Sequence, residues 1–336
     1  MYHDDAGRTA PARPAGRVLG RREALERFDG LDPALWQHAD AAFPVRVTRS
    51  WADRIIAIDD PLALQALPQP EELTPDAADL LDPTGEDRRS PHPWIIQKHP
   101  DRVLLIVTRR CHLNCRYCFR RNHTGPNDPS PDELASALDF VRSSGARELI
   151  LSGGDPLALR DARLFSVMDA VRPAVPVVRI HTRAPITAPR RVTDALVAGL
   201  RARPPIWVIV HCNHPQELSA SVRDGLSRLV DAGIPVLNQA VLLRRVNDDP
   251  VVLAELCEAL VSLRVFPYYL HHTDKAAGNV GFRVSVERGL EIYDALEGMV
   301  SGVALPRYVI DPPDGSGKIT VREWARRARA AAKQGV

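Results

Sequence analysis

The sequence predicts an α/β fold: a partial (β/α)6 barrel with a helical extension before it and a short segment after it. Beyond about residue 100, β-branched runs alternate with amphipathic helical stretches, in units of about 30 residues that suit strand–helix–strand crossovers. The glycine fingerprint of a doubly wound, dinucleotide-binding sheet is missing from the sequence. Six right-handed crossover units therefore favour a barrel-like parallel sheet, as in the TIM barrel.

Six strands and six helices can be placed along this central region. The predicted strands cover residues 103–108, 148–152, 177–181, 206–211, 236–243 and 267–272. The predicted helices cover residues 131–144, 162–171, 190–202, 217–232, 251–263 and 285–301. In these helices apolar residues recur at positions i, i+3 and i+4, for example at Leu226, Leu229 and Val230, which indicates one buried face.

The two flanking regions differ from this pattern. Residues 1–92 are predicted to form a helical and loop extension, with short helices over 21–28 and 51–58, because prolines interrupt it repeatedly. Residues 93–305 form the predicted barrel core. Residues 306–336 form the terminal segment, with a short strand over 308–310, a Pro/Gly loop over 312–317 and a basic helix from Val321.

Composition excludes several classes of protein. Lys and Arg number 44 and Asp and Glu number 42, so the formal net charge of +2 argues against a dedicated nucleic-acid binder. No apolar run reaches the roughly 18 residues of a membrane helix, and residues 1–9 lack the apolar region of a secretory signal. An odd number of cysteines, 5, is not a disulfide framework. We expect a cytoplasmic protein that binds no membrane.

Three cysteines follow the first predicted strand with the spacing C-x3-C-x2-C: Cys111, Cys115 and Cys118. Closely spaced thiolates suit an iron–sulfur cluster or zinc. The alternatives are a zinc site completed by His112 or three buried cysteines. Structural zinc usually takes two pairs of ligands, and the sequence offers no second pair. The remaining cysteines, Cys212 and Cys257, are predicted to be small buried hydrophobes.

Three thiolates on a four-iron cluster leave one iron open to another ligand. S-adenosylmethionine can bind such an iron through its amino and carboxylate groups, and reduction then releases a 5′-deoxyadenosyl radical. The arginines within the motif are expected to balance the negative charge of the cluster; they are Arg110, Arg116, Arg120 and Arg121. The spacing, directly after the first strand, resembles the signature of the radical S-adenosylmethionine superfamily. This resemblance implies a [4Fe–4S] cluster, S-adenosylmethionine and the radical SAM type of barrel.

Polar residues cluster at the ends of the other predicted strands. In a parallel barrel these ends meet at one rim, where active sites form. The Gly153-Gly154-Asp155 segment resembles the element of the superfamily that binds the methionine amino group, and glycines permit a close backbone approach. The candidate cofactor-binding residues at this rim are Ser152, Gly153, Gly154, Asp155, His181, Arg183 and Gln239. The pair His211 and His214 is interpreted as polar lining.

A second motif, Asp311-Pro-Pro-Asp-Gly-Ser-Gly-Lys318, lies near the end of the chain. Pro312 and Ile319 exclude the phosphate-binding P-loop, which needs Gly and Ser or Thr at these positions. A lysine in a glycine-rich loop can instead bind an aldehyde cofactor as a Schiff base, because small neighbours let a flat ring approach. Taken alone, a surface lysine is the simpler interpretation.

Together these motifs resemble the lysine 2,3-aminomutase family, and the resemblance extends over about residues 43–321. It implies that Lys318 binds pyridoxal 5′-phosphate and that Lys98 and Arg102 contact the cofactor phosphate. It further implies that Arg120 holds the substrate carboxylate. Asp274 and Asp311 are implied to hold the ε-ammonium of lysine, and two carboxylates around one ammonium reject an anionic side chain.

The implied function is the isomerisation of L-lysine to β-lysine, a 1,2-amino migration started by a deoxyadenosyl radical. Three alternatives are kept. The same reaction could serve β-lysylation of translation elongation factor P, the substrate could be another amino acid, or the protein could be a non-catalytic iron–sulfur scaffold. The expected partners are an electron donor such as flavodoxin or ferredoxin and a second copy of the chain, since homo-oligomers are common.

Overall fold

The computed structural model describes residues 18–203 and 205–333. Residues 1–9, over which no secretory signal is predicted, lie outside these ranges. In the described part of the chain, no helix combines the length and the apolar character that crossing a membrane requires.

Within the described residues, nine strands form one continuous sheet, and their order in space follows their order in sequence. They are β1 (Ile95–His99), β2 (Arg102–Thr108), β3 (Glu148–Gly153), β4 (Val177–Thr182), β5 (Ile206–His211), β6 (Val236–Val241), β7 (Phe266–His271), β8 (Arg307–Ile310) and β9 (Ile319–Thr320). Neighbours from β2 to β8 are parallel, whereas β1 and β9 pair antiparallel at the two edges. The predicted partial barrel is confirmed, with β8 as a seventh parallel strand.

Helices precede the sheet and connect its parallel strands. The extension contains α1 (Arg21–Arg27), α2 (Pro33–Ala42), α3 (Arg49–Ala52) and α4 (Pro61–Ala66). The barrel region contains α5 (Pro131–Ser143), α6 (Asp161–Val171), α7 (Ala184–Thr187), α8 (Asp194–Arg201), α9 (Ala220–Asp231), α10 (Pro250–Ser262) and α11 (Val286–Glu297), and α12 (Val321–Lys333) follows β9. The long helices match the predicted segments to within a few residues at their ends.

The strands divide the sheet into two faces because successive side chains point in opposite directions. In β4, Val178, Ile180 and Thr182 are buried, and Arg179 and His181 lie on the opposite face. Val178 and Ile180 belong to a hydrophobic core that extends from Leu19 in the extension to Val321 in α12. The second face, on the inside of the barrel, therefore carries the polar side chains.

The extension differs most from the sequence prediction. The predicted helix over 51–58 is wrong beyond Ala52, where α3 ends. Asp32 and Asp60 instead begin two unpredicted helices, α2 and α4, by accepting hydrogen bonds from their first-turn amides. A proline follows each aspartate at the first helical position, where its missing N–H costs nothing. These Asp–Pro pairs are therefore start signals for helices, and the prolines in them do not interrupt the extension.

Two short edge strands, β1 and β9, also escaped prediction. They bring the C-terminal loop against the segment before the barrel. Gly317 has φ +91°, and a Cβ at this position would lie 2.6 Å from His99 Nε2. Gly315 has φ +71°, and its Cβ would lie 2.7 Å from the carbonyl oxygen of Gly85. Glycine is thus required at both positions by backbone conformation and by close packing.

Candidate active site

The three motif cysteines lie in the loop that leaves the carboxyl end of β2. Cys111, Cys115 and Cys118 are free thiols, and all three are partly exposed. The amide of Cys118 donates to the carbonyl of Cys115 at 3.0 Å, so the loop turns tightly there. In residues 18–203 and 205–333, no three His, Cys, Asp or Glu side chains form a group that could hold a single metal ion, the arrangement that the zinc alternative requires.

The extension holds this loop in place through a buried ion-pair cluster. Arg116, which is fully buried, donates to both carboxylate oxygens of Glu72, with Nε–Oε distances of 2.9 and 3.0 Å. Arg121 pairs with the same carboxylate at 3.2 Å. Breaking a buried pair from one side is strongly destabilising because the other charge stays buried without a partner. Glu72 therefore fixes the loop from both sides of Cys118.

Burial raises the pKa of the Cys118 thiol to about 12, and the charges of Arg120 and Arg121 oppose this rise, as expected of arginines that balance negative charge at the cysteines. All four motif arginines are also paired with carboxylates. Arg116 and Arg121 point to Glu72, Arg120 to Glu86, and Arg110 to Asp128. The four guanidinium groups thus share three carboxylates, which offset part of their positive charge. The arginine that does contact a cysteine comes from another part of the chain.

That arginine is Arg183, which directly follows β4. Its Nη1 lies 2.7 Å from Cys115 Sγ, and its Nη2 lies 3.1 Å from Glu217 Oε2 and 2.7 Å from Gln65 Oε1. Burial opposes the charge on this guanidinium, but Cys115, Tyr117 and Glu217 raise its pKa well above the ordinary arginine value. A permanent cation at a cysteine sulfur stabilises thiolate, the form that ligates metals.

The Gly153-Gly154-Asp155 segment links the cysteine loop to the end of β4. The amides of Gly154 and Asp155 donate at 2.8 Å to the carbonyls of Thr108 and Arg110, which precede the first cysteine. Gly153 has φ +112°, and a Cβ there would lie 2.5 Å from the carbonyl oxygen of Thr108. The glycines are thus needed for the approach of the cysteine loop itself. Their predicted contact with a ligand amine stays a prediction.

Asp155 uses its carboxylate to join neighbouring strand ends. Its Oδ1 accepts from Thr182 Oγ1 at 2.6 Å and from the amide of Leu157 at 2.9 Å, and its Oδ2 accepts from the amide of Arg183 at 2.9 Å. The side chain is buried, with 4% exposure. Asp155 therefore positions the backbone of Arg183, whose side chain reaches Cys115.

The inner face of the barrel carries polar side chains at the ends of β4 to β7. They are His181, His211, Gln239 and His271. Burial lowers the pKa of His181 and His211 well below the ordinary value and that of His271 to about 3, so these rings are neutral at pH 7. His211 Nε2 lies 2.9 Å from the Tyr117 hydroxyl, whereas the buried Nε2 of His181 has no hydrogen-bond partner. An unpaired buried nitrogen suits a polar ligand inside the barrel.

The C-terminal lysine lies next to one of the two predicted substrate carboxylates. Lys318 Nζ is 3.4 Å from Asp311 Oδ2, and Lys98 Nζ is 2.9 Å from Asp311 Oδ1. Burial raises the pKa of Asp311, but the two lysines outweigh this effect and hold it below the ordinary value. Asp311 is therefore an ionised carboxylate between two ammonium groups.

The second carboxylate, Asp274, follows β7 and has the opposite behaviour. Burial and the neighbouring charge of Asp311 raise its pKa from 3.8 to about 7, against the opposing effect of Lys318 and Lys98. The structure thus brings Asp274 close to Asp311 and Lys318. These two residues lie 37 and 44 positions after Asp274 in the sequence. They meet because Asp274 follows β7 and Asp311 follows β8, and these two strands are parallel neighbours in the sheet.

Arg120 connects this charged group to the cysteine loop. Its Nε and Nη2 donate to Glu86 at 2.7 and 2.5 Å, and its Nη1 lies 3.3 Å from Ser152 Oγ. Burial opposes its charge, but Glu86, Cys118 and Asp311 raise its pKa. The cysteine loop follows β2 and Asp311 follows β8, and both are parallel strands of one sheet, so the cysteines and the Asp311–Lys318 pair lie at the same rim.

The two residues predicted to contact the cofactor phosphate, Lys98 and Arg102, have different surroundings. Lys98 lies on β1 and is already engaged by Asp311 and by the carbonyl of Thr84, at 2.6 Å. Arg102 begins β2 and stands 3.5 Å from Asp101, with a side chain 37% exposed. Their roles toward a phosphate stay predictions. The partners that the sequence did not indicate are Gln65, Glu72, Glu86 and Glu217.

The sequence of this chain is similar to the sequences of several known proteins. The family model of the radical SAM superfamily matches residues 105–257. The chain is 39% identical to the L-lysine 2,3-aminomutase of Methanococcus maripaludis over 302 residues, which cover 88% of this chain and 70% of that protein. It is 41% identical to the enzyme of that name from Clostridium subterminale, covering 78% and 64%. It is 36% identical to a glutamate 2,3-aminomutase of Clostridioides difficile, covering 78% and 63%.

The fold, the three-cysteine loop and these similarities together define a radical SAM protein. Within that superfamily the chain belongs to the lysine 2,3-aminomutase family, as the sequence motifs predicted. The named activity of these relatives is an isomerisation, and this is a family of isomerases. The chain spans 63–70% of the length of the three relatives compared.

The residues present fit the iron–sulfur cluster and S-adenosylmethionine that this superfamily implies. The cluster requires thiolate ligands, and the loop supplies three free thiols with a buried arginine on one sulfur. S-adenosylmethionine requires polar partners close to that loop, and the unpaired Nε2 of His181 and the side chain of Gln239 lie on the inner face of the barrel.

Proposed function

We propose that this protein is an L-lysine 2,3-aminomutase that converts L-lysine to β-lysine. The observation that carries the proposal is the charge distribution at the rim. Asp274 and Asp311 form a partly buried acidic pair beside Lys318, and Arg120 provides a partly buried cation near Cys118. An amino acid with a cationic side chain carries the complementary charges, a carboxylate at one end and an ammonium at the other.

The acidic pair favours lysine over an acidic substrate. A glutamate side chain would bring a further negative charge next to Asp274 and Asp311, where burial and the charge of Asp311 already raise the pKa of Asp274 to about 7. Placing like charges together in a site of low polarity is costly, and this cost supplies specificity. The similarity to a glutamate 2,3-aminomutase therefore supports the reaction type more than the substrate.

Lys318 is proposed to bind pyridoxal phosphate, and the residues around it fit this cofactor. Gly315 and Gly317 carry no side chains that could block a flat ring, and Lys318 itself is 40% exposed at the rim. When bound, the cofactors supply radical hydrogen abstraction and a carrier for the migrating amino group. The chain supplies the binding, the orientation and the exclusion of water.

The contacts of Asp311 assign a step to the chain itself. In the described structure its Oδ2 faces the Lys318 ammonium at 3.4 Å, and its Oδ1 is held by Lys98. When Lys318 turns toward the cofactor, Oδ2 becomes available to the side-chain ammonium of the substrate. Lys98 keeps the Asp311 carboxylate in position during this exchange. The side-chain ammonium of the substrate can then replace Lys318 Nζ at Oδ2 without a rearrangement of the loop.

The proposed reaction is tested with reconstituted protein, S-adenosylmethionine, pyridoxal phosphate and a flavodoxin or ferredoxin as electron donor. L-lysine, L-glutamate and L-arginine are supplied separately, and the β-amino acids formed are separated and quantified. We expect β-lysine from L-lysine, and far slower conversion of the other two. Conversion of glutamate instead would contradict the substrate, and cleavage of S-adenosylmethionine without any isomerised product would contradict the aminomutase assignment.

Asp274 should make lysine use depend on pH. Below about pH 7 its carboxyl group becomes protonated, the substrate ammonium loses one negative partner, and kcat/KM for lysine should fall. Burial is the main cause of this raised pKa; Asp311 and Glu86 raise it further, and Lys318 and Lys98 lower it. The variant Asp274→Asn should lower kcat/KM above pH 7 by roughly ten- to a hundredfold, the loss of one charge-assisted hydrogen bond to the substrate ammonium. Its profile between pH 6 and 8 should be flatter than that of the wild type.

Replacing Asp274 should affect protein stability in the opposite direction to activity. A folded-state pKa raised above the unfolded value means that the native protein holds an extra proton between about pH 4 and 7, so the stability due to Asp274 is lost as pH rises through this window. Without lysine at pH 8, Asp274→Asn should therefore unfold at a higher temperature than the wild type. A variant that is both less stable and equally active would show that the assignment of Asp274 is wrong.

A further inference from the structure

One short segment of the extension, residues 84–86, contacts both ends of the charged site. The carbonyl of Thr84 accepts from Lys98, the lysine that holds Asp311. Gly85 has φ +65°, and a Cβ there would lie 2.5 Å from the amide nitrogen of Gly315, in the loop that ends at Lys318. The Glu86 carboxylate pairs with Arg120. Three successive residues thus reach three parts of the site.

The Glu86–Arg120 pair leaves one edge of the guanidinium available. Glu86 occupies Nε and Nη2, the side edge of the group, at 2.7 and 2.5 Å. The opposite edge, formed by Nη1 and the second hydrogen of Nη2, is turned toward Ser152, whose Oγ lies 3.3 Å from Nη1. Because a guanidinium has five N–H donors in one plane, a second carboxylate can bind this outer edge while Glu86 stays in place.

Glu86 is itself fixed by its backbone. Its amide donates to Asp82 Oδ1 at 2.9 Å, and its carbonyl accepts from the amide of Arg89 at 2.9 Å and from Ser90 Oγ at 2.8 Å. The packing of Gly85 against the C-terminal loop leaves no space for a shift of this backbone toward that loop. A carboxylate held in this way suits a permanent partner of Arg120 better than one that substrate displaces.

We infer that Glu86 is a positioning residue, which holds Arg120 by its side edge so that its outer edge, beside Ser152, receives the α-carboxylate of the substrate. This inference rests on the proposed function, because it needs an amino acid at Arg120. The inference is about binding of the α-carboxylate, which all α-amino acids have, and it does not depend on which side chain the substrate carries. The N-terminal extension then completes the substrate site.

The test uses reconstituted protein with its cofactors and compares Glu86→Gln with the wild type. The glutamine keeps the shape but loses the charge and one acceptor, so Arg120 should turn away from its position. We expect KM for L-lysine to rise on the order of tenfold, the loss of one charge-assisted hydrogen bond, with a smaller change in kcat. Titration calorimetry with the cluster left oxidised, so that no turnover occurs, should show the same loss of lysine affinity.

A probe without a carboxylate separates positioning from a general disturbance of the site. At pH 8, where Asp274 is ionised in both proteins, the inhibition constant of 1,5-diaminopentane, which keeps both amines of lysine, should not change in Glu86→Gln. Glu86→Asp keeps the charge and should recover part of the lost lysine affinity. The matched control is Glu71→Gln, a glutamate of the same extension that pairs with Arg245 at 3.3 Å on the surface and should leave lysine binding unchanged.

Several results would overturn the inference. Tighter lysine binding by Glu86→Gln would show that Glu86 competes with the substrate, and unchanged binding would show that it has no role. Equal weakening of lysine and 1,5-diaminopentane would show a general structural effect. If the wild type isomerises a different amino acid, the proposed substrate fails but the same comparison is made with that amino acid. If the wild type binds no amino acid, both proposals fail.

Discussion

Replacement of Cys115 by alanine is expected to abolish assembly of the iron–sulfur cluster. Only three thiols in one loop are available to ligate it, and Cys115 is the one whose sulfur accepts from Arg183 at 2.7 Å. Isomerisation should fall by at least about three orders of magnitude, because the cofactor supplies the difficult chemistry. After anaerobic reconstitution, iron and sulfide content, the broad visible absorption and cleavage of S-adenosylmethionine measure the loss. Binding of pyridoxal phosphate should be retained.

The matched control for this variant is Cys257→Ala. Cys257 lies on α10, outside the motif, and is 3% exposed. Because its side chain is buried, replacement by alanine leaves a small cavity at a cost of about 1 kcal/mol in stability. Its iron content should equal that of the wild type. Full iron content and S-adenosylmethionine cleavage in Cys115→Ala, or their loss in Cys257→Ala, would contradict the assignment of the motif.

Local sequence patterns predicted the strands that form the centre of the sheet. In β4 and β5 the β-branched residues are numerous, because buried parallel strands need apolar side chains on the face that packs against helices. The strand β1 escaped because only Ile95 and Ile96 are apolar there, and Gln97, Lys98 and His99 follow. Such a strand exists through its pairing with β2, which is a contact that no local pattern records.

The candidate site shows the same division between local and distant information. The cysteine spacing and the glycine-rich loop of Lys318 are local, so both could be recognised in the sequence. The partners that orient them are not: Glu86 is 34 residues from Arg120, and Gln65 is 118 residues from Arg183. One signal was present, since four arginines in a buried loop require carboxylates, and the extension is rich in them. The sequence alone does not say which carboxylate meets which arginine.

These distant partners give the extension a specific task. Glu72 holds the cysteine loop, Gln65 contacts Arg183, and Glu86 contacts Arg120, so three polar residues of the extension each reach a different arginine of the site. The extension also contributes Trp51 and Leu62 to the common hydrophobic core. Packing and polar contacts thus require the same placement of this region, and a change that detaches it should disturb cluster and substrate positions together.

Replacement of Lys318 by alanine is expected to remove the covalent attachment of pyridoxal phosphate and to leave the iron–sulfur cluster unchanged. Lys318 pairs with Asp311 at the rim and takes no part in the Glu72 contacts that hold the cysteine loop, so we expect cluster assembly to be independent of it. Isomerisation should fall by about three orders of magnitude or more, since an attached amine aligns the cofactor for exchange with substrate. The absorbance of protein-bound cofactor and the iron content, measured on one preparation, separate the two effects.

Lys275→Ala is the matched control, because Lys275 is an exposed lysine that also follows β7 and makes no contact with Asp311 among the described ion pairs. It should keep the cofactor absorbance and the activity of the wild type. Cys115→Ala and Lys318→Ala should then show opposite losses, one of iron and the other of bound pyridoxal phosphate. If Lys318→Ala retained both the cofactor absorbance and full turnover, the attachment site would have to be another lysine, and the arrangement of Asp311 between Lys98 and Lys318 would need a different explanation.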